Sequence, residues 1–273
     1  LRPIMAVRTF ALALVLVLAG GPFLAAQEQD DPLIKEFERY VSAAGGQKKL
    51  AEDAEYQRSR AGWDEAARII KEAMEEQDLA LAGSQSDIDR VMTLYASRAA
   101  SRGKPVDHYL QGRMLGLTGH LEDAYHAFSM ALQQDRYFFW AWDGLGVYHT
   151  NKENWAEARA KFDRVLQLNK NYLKSAFGRA QCLFRAGELQ GASLQLREIL
   201  DHPGAREDPQ IIRQTRLLLA EAFRSAKDYD AAIRELTTLE KEGMKDIRLF
   251  AMRAWCAKQL ERWKDAIADY DAI

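Results

Sequence analysis

The chain has 273 residues, 48 % of them hydrophobic and 29 % charged, with a formal net charge of −2. That is enough apolar material for a core, and the near-neutral balance lacks the strongly basic face of a nucleic-acid binder. Only six prolines interrupt it, and Ala, Leu, Glu and Arg recur throughout, so composition favours an all-α protein: those side chains lose little rotamer freedom in a helix.

The first predicted element is a signal peptide over 1–26. Arg8 precedes an apolar run from Phe10 to Ala19, Gly20, Gly21 and Pro22 break that run, and Leu24, Ala25 and Ala26 supply a small-residue cleavage site. The run is shorter than the roughly 20 residues of a bilayer span. Cleavage is therefore expected to leave no stable membrane span, and the mature chain to be exported, whether periplasmic, in the cell envelope or secreted. No Cys follows the cleavage site, which argues against a lipid anchor.

Residues 27–104 read as an N-terminal helical region. A helix is expected from about Pro32 to Ala43, then a degenerate helical pair over about 47–80 whose second half carries Trp63, Ala66, Ile70 and Ala73. A further helix follows over about 87–102, opened by Ser86 as N-cap with Asp89 three residues on, and closed by Gly103 and Pro105.

From residue 105 the sequence repeats itself. Trp142-x-x-Leu145-Gly146, Trp155, Ala158-x-x-x-Phe162 and Val165 have counterparts 34 residues earlier in Gly112, Ala124-x-x-x-Phe128 and Ala131, and 34 residues later in Ala180, Gly187, Ala192, Leu196 and Ile199. A six-residue insertion around "DHPGAREDPQ" precedes two more copies. The copies span about 105–138, 139–172, 173–206, 213–246 and 247–273, the last incomplete. One column is small throughout: Ala54, Gly112, Gly146, Ala180, Ala220, Ala254. A second is always alanine: Ala66, Ala124, Ala158, Ala192, Ala232, Ala266. Two antiparallel helices pack tightly where small residues sit at their crossing and large ones fill the space beside it.

These residues resemble the tetratricopeptide repeat, a helix-turn-helix unit of about 34 residues with the pattern W-x2-L-G-x2-Y, A-x3-F and P. The likeness is good over about Val106 to Ile273 and weak over Gln47 to Ala80. The usual proline is replaced by Arg136 in the first copy and Lys170 in the second. The resemblance implies a right-handed α-solenoid of stacked helical pairs, with the first helix of each pair lining a groove for a protein or peptide partner and no catalysis. By register the groove would present Tyr109, Arg113, Trp140, Asp143, Lys174, Phe177, Gln181, Phe184, Glu221, Arg224, Arg248 and Trp255. Aromatic and arginine side chains suit partner anchoring.

Some tetratricopeptide domains grip a C-terminal carboxylate with a Lys, two Asn, a second Lys and an Arg. The matching positions here are Tyr109, Arg113, Gly144, Lys174 and Gly178; only Lys174 agrees, so this chain is not expected to bind in that manner. Cys182 and Cys256 share a column two repeats apart, on the order of 20 Å at helix-packing spacing, too far for a disulfide. The five histidines form no metal-spaced cluster and no nucleophile or phosphate-loop motif is present, so neither metal nor cofactor is expected.

The function expected is that of an exported scaffold or adaptor. The alternative is the repeat portion of a larger protein with a catalytic or other domain beyond residue 273. The closing stretch "RWKDAIADYDAI" places Trp263, Ala266 and Tyr270 in the repeat columns, and a second helix running further is expected there.

Overall fold

The computed structural model describes Leu50 and residues 52–273. The signal peptide expected over 1–26 and the helix expected over Pro32–Ala43 lie outside the described residues. Those residues form thirteen α-helices, one 3-10 segment and no strand. They divide into two compact units, one running to Asn154 and including Gln167–Lys170, the other comprising Trp155–Leu166 and Asn171–Ile273.

The first unit holds α1 (Ala54–Ala61), α2 (Trp63–Ala82), α3 (Gln85–Arg102), α4 (Pro105–Leu117), α5 (Leu121–Gln134) and α6 (Phe139–Asn151). Asp53 opens α1 by accepting the Glu55 and Tyr56 N–H groups at 2.8 and 3.1 Å. The small column does not reach this helix: Ala54 is exposed, and Tyr56 takes the buried position. The cap of α3 is Ser84 rather than Ser86. Its hydroxyl accepts the Asp87 N–H, and the Asp87 carboxylate accepts the Ser84 N–H at 2.9 Å, a reciprocal capping box. Both serines have an aspartate three residues on; Gly83, which closes α2 directly before Ser84, selects the earlier one. At the far end Gly103 takes the left-handed conformation (φ 61°) and its N–H bonds the Ala99 carbonyl.

The N-terminal helices are bonded to residues of the first two copies. Gln77 donates to the Leu110 carbonyl at 3.1 Å and accepts from Arg113. The Tyr137 hydroxyl donates to Asp53 at 2.5 Å, and the Tyr56 hydroxyl to the Leu168 carbonyl at 3.2 Å. The division between compact units falls in the turn after α6, inside the second copy.

The second unit contains most of α7 (Trp155–Leu168), then α8 (Leu173–Arg185), α9 (Leu189–Asp201), α10 (Pro209–Ser225), α11 (Tyr229–Lys241), α12 (Ile247–Gln259) and α13 (Trp263–Asp271). The six-residue insertion folds as a 3-10 segment, Pro203–Glu207, which tucks Ala205 into the core beside Ile199 and Ile211. Asp208 then caps α10 by accepting the Gln210 and Ile211 N–H groups, each at 3.1 Å.

The turn inside each copy is built the same way. Gly119, Glu153, Gly187, Lys227 and Glu261 all have positive φ. The next residue's N–H reaches back five residues, His120 to Leu115, Asn154 to His149, Glu188 to Leu183, Asp228 to Phe223 and Arg262 to Ala257. This is the Schellman closure, which satisfies helix-end carbonyls and reverses the chain. All six members of the alanine column are buried, as are Gly112, Gly146, Ala180, Ala220 and Ala254 of the small column.

A further close approach repeats from copy to copy. A Cβ on Gly144 would stand 2.6 Å from the Phe128 ring, and one on Gly178 would stand 2.6 Å from the Phe162 ring. The A-x-x-x-F phenylalanine of one copy thus lies over a glycine in the first helix of the next. Where the later copies have Leu196 and Leu236 in that column, the facing positions are Leu218 and Met252, in the same core clusters. A large ring meets no side chain, and a medium one meets another medium one.

Candidate functional site

In the first unit the register-nominated positions on α4 and α6 are largely taken up by packing. Tyr109 and Trp140 are each only 6 % exposed. Tyr109 packs against Phe128 and Phe138, with ring centroids 5.9 and 6.0 Å apart. Trp140 stacks on Phe139 at 3.9 Å and meets the edge of Trp63, at the start of α2, at 6.4 Å. Burial raises the Tyr109 phenol above its ordinary pKa. Arg113 is half-buried and bonded to Gln77, and Asp143 is also half-buried. Both aromatic anchors expected here are core residues: Phe128 and Phe138 pack on Tyr109, and Trp63 and Phe139 pack on Trp140.

The second unit keeps its first-helix side chains more accessible. On α8, Lys174 is exposed while Phe177, Gln181 and Phe184 are half-buried. Phe177 and Phe184 rest on the core made by Leu196, Ile199, Leu218 and Phe223, so each ring has one supported side and one open side. On α10, Glu221 and Arg224 are half-buried; on α12, Arg248 is exposed and Trp255 is 38 % exposed.

These residues meet across helices. The Arg224 guanidinium lies 5.5 Å from the centre of the Trp255 ring, and the Tyr229 ring meets the edge of Trp255 at 5.5 Å. Arg185, in the last turn of α8, lies over Trp155 at 5.6 Å. Burial pushes the Glu221 carboxyl above its ordinary range, and the charges of Arg224, Arg185 and Arg248 pull the other way without overcoming it. Arg185 is not among the register positions, although it stands four residues after Gln181 and so shares the face of α8 that Gln181 occupies. Its stacking on Trp155 joins two copies and is not visible in either alone.

The carboxylate-gripping arrangement is excluded by packing as well as by residue type. Two of its positions, Gly144 and Gly178, are where the Phe128 and Phe162 rings leave no room for a Cβ. Lys174 is left exposed without that set around it.

Cys182 and Cys256 are buried free thiols, and burial pushes the Cys256 thiol up to about 11. Among the described residues no group of three or more His, Cys, Asp or Glu is arranged to hold a metal ion, and no helix is long and apolar enough to cross a membrane.

No protein-family model matches the sequence, and no curated protein matches it. Solved structures do match. YrrB, a TPR protein with an unusual peptide-binding site, is 15 % identical with a TM-score of 0.52, over 65 % of this chain and 88 % of its own. MamA from Desulfovibrio magneticus RS-1 is 14 % identical with a TM-score of 0.53, over 66 % and 91 %. PilF from Pseudomonas aeruginosa is 14 % identical with a TM-score of 0.58, over 76 % and 90 %. Identities this low speak to the fold and not to the ligand. The helical pairs, their columns and turns and these likenesses show that the chain has the fold of a tetratricopeptide-repeat protein.

Proposed function

We propose that this chain is a non-catalytic scaffold that takes a protein or peptide segment on the first-helix face of its second unit, and that it works after export. The observation that carries the proposal is the accessibility of Phe177, Phe184 and Trp255 beside Gln181 and Arg224, where Tyr109 and Trp140 of the first unit are buried. Half-supported rings next to polar groups give contact area at small conformational-entropy cost. The peptide-binding site of YrrB, on the same fold, supports the reading. Export rests on the sequence of residues 1–26.

The test is selection of a displayed peptide library against the full chain, followed by affinity measurement on variants. Peptides selected on this face are expected to lose about tenfold or more in affinity on Phe177→Ala or Trp255→Ala, with circular dichroism confirming that each variant is folded. Selected peptides that bind both variants as tightly as the parent chain would remove this face as the binding site.

A further inference from the structure

We infer that Arg185, Arg224 and Arg248, set around Glu221 and backed by Trp155 and Trp255, form an anionic subsite for an acidic peptide segment of the partner. The inference rests on the first-helix face being the binding face, and adds the chemistry of its occupant.

The argument starts from how the arginines of this unit are used. Arg253 is neutralised by Asp269 and Glu240, each at 2.5 Å, Arg216 by Glu235 at 2.8 Å and Arg179 by Asp163 at 3.2 Å. Arg185 and Arg224 have no carboxylate partner among the described residues. Each lies instead over an indole, which orients the guanidinium plane while leaving its forked N–H donors unspent. The Nε of Arg224 is buried with no acceptor. Arg248 has only the aspartate that caps its own helix, Asp246, at 3.3 Å. The one acid inside the group, Glu221, is half-buried and makes no ion pair with any of the three; burial favours its protonated form.

Three cations, two of them oriented and none fully neutralised, match a carboxylate-bearing ligand. A guanidinium fork binds a carboxylate through two parallel N–H···O bonds. Phe177 and Phe184 on α8 offer apolar contact on the same face, which fits a peptide that mixes acidic with aromatic or aliphatic residues. A nucleic acid fits less well. The chain carries a net charge of −2, and the cluster is confined to three residues rather than extended as a stripe.

The experiment uses fluorescence anisotropy on the full chain with three labelled probes: a hexapeptide alternating one Phe with two Glu, the same peptide with Gln for Glu, and a twelve-nucleotide oligothymidylate. The Glu peptide is expected to bind about tenfold or more tighter than the Gln peptide, and to lose about tenfold or more in the Arg185→Gln, Arg224→Gln double variant, as for charge-assisted hydrogen bonds removed. Arg206→Gln, outside the cluster, is expected to change nothing. Affinity of the parent chain for the Glu peptide is expected to fall as salt rises, a readout that stands even if the double variant does not fold. Equal binding of the Glu and Gln peptides, a double variant that binds as the parent does, an affinity insensitive to salt, or tighter binding of the oligonucleotide would each overturn the subsite. If both peptides bind equally and both weaken on Phe177→Ala, the binding face stands and only its acidic preference falls.

Discussion

Glu221 is the residue whose surroundings conflict most within the second unit. Burial favours its neutral form more than Arg224, Arg185 and Arg248 favour the charged one, so its pKa in the folded protein lies above the ordinary carboxylate range. A group raised in this way favours folding while it is protonated. That contribution is complete below the unfolded-state pKa and is lost as pH rises through the folded-state value. Glu221→Gln keeps the shape and removes the titration. The melting temperature of this variant, relative to the parent chain, is expected to rise as pH is raised from about 4 to 7. Thermal melts across that range check it, and a constant difference between the two proteins would mean the carboxyl is solvated and ordinary.

At the scale of the helix pair, size matching between neighbouring copies governs packing. The Phe128 ring is held between Gly112 and Gly144, where added Cβ atoms would stand 2.8 and 2.6 Å away; it cannot move off one without pressing on the other. Alanine in place of a mid-helix glycine ordinarily gains up to about 1 kcal/mol, whereas overpacking costs about 1–3 kcal/mol. Gly144→Ala is therefore expected to destabilise the protein by about 1–2 kcal/mol in urea unfolding. Gly116→Ala, whose new Cβ would meet Ala124 at an ordinary 3.9 Å, is expected to be neutral or stabilising. Adding Phe128→Leu to Gly144→Ala should recover part of the loss. An unchanged midpoint for Gly144→Ala would show that the ring has room to turn.

Much of this element-level order was legible beforehand because it is periodic. The small and alanine columns recur every 34 residues apart from one insertion, and helix crossings require them to be small. Along the sequence Gly144 and Gly178, which face Phe128 and Phe162, differ from the carboxylate-gripping pattern only in lacking a polar side chain. Their packing role depends on a contact between copies, and the later copies meet the same need with Leu218 and Met252. The burial of Trp140 is hidden from the sequence for a related reason. Register states which helix face a residue occupies, but not that Trp63, some 77 residues from Trp140, covers it.

For the whole molecule, stacking of repeats means that each pair depends chiefly on its neighbours. Arg253, with a side chain 13 % exposed, holds Asp269, 8 % exposed, and so joins α12 to α13. Arg253→Leu would leave that carboxylate buried without its cation, a loss of about 3–5 kcal/mol in comparable pairs. Amide exchange is expected to accelerate in α12 and α13 and to stay unchanged in α4 to α6. Acceleration throughout would mean that the chain unfolds as one cooperative body. On the same helix α13, Trp263, Ile267 and Tyr270 are 55 %, 59 % and 51 % exposed.

The size-matched pairs also bear on how such a chain can be shuffled by recombination. Phe128 and Gly144 are sixteen residues apart, as are Phe162 and Gly178, and the members of each pair belong to consecutive copies. A breakpoint at the border between copies separates a ring from the space made for it, so a transplanted copy arrives mismatched on both sides. A breakpoint in the tight turn within a copy, at Gly119, Glu153 or Gly187, carries ring and space together. The cassette that keeps each ring with its space in the next copy is thus the second helix of one copy with the first helix of the next, half a period out of step with the repeat as it is read along the sequence, provided the helix before it keeps a small residue where Gly112 meets Phe128.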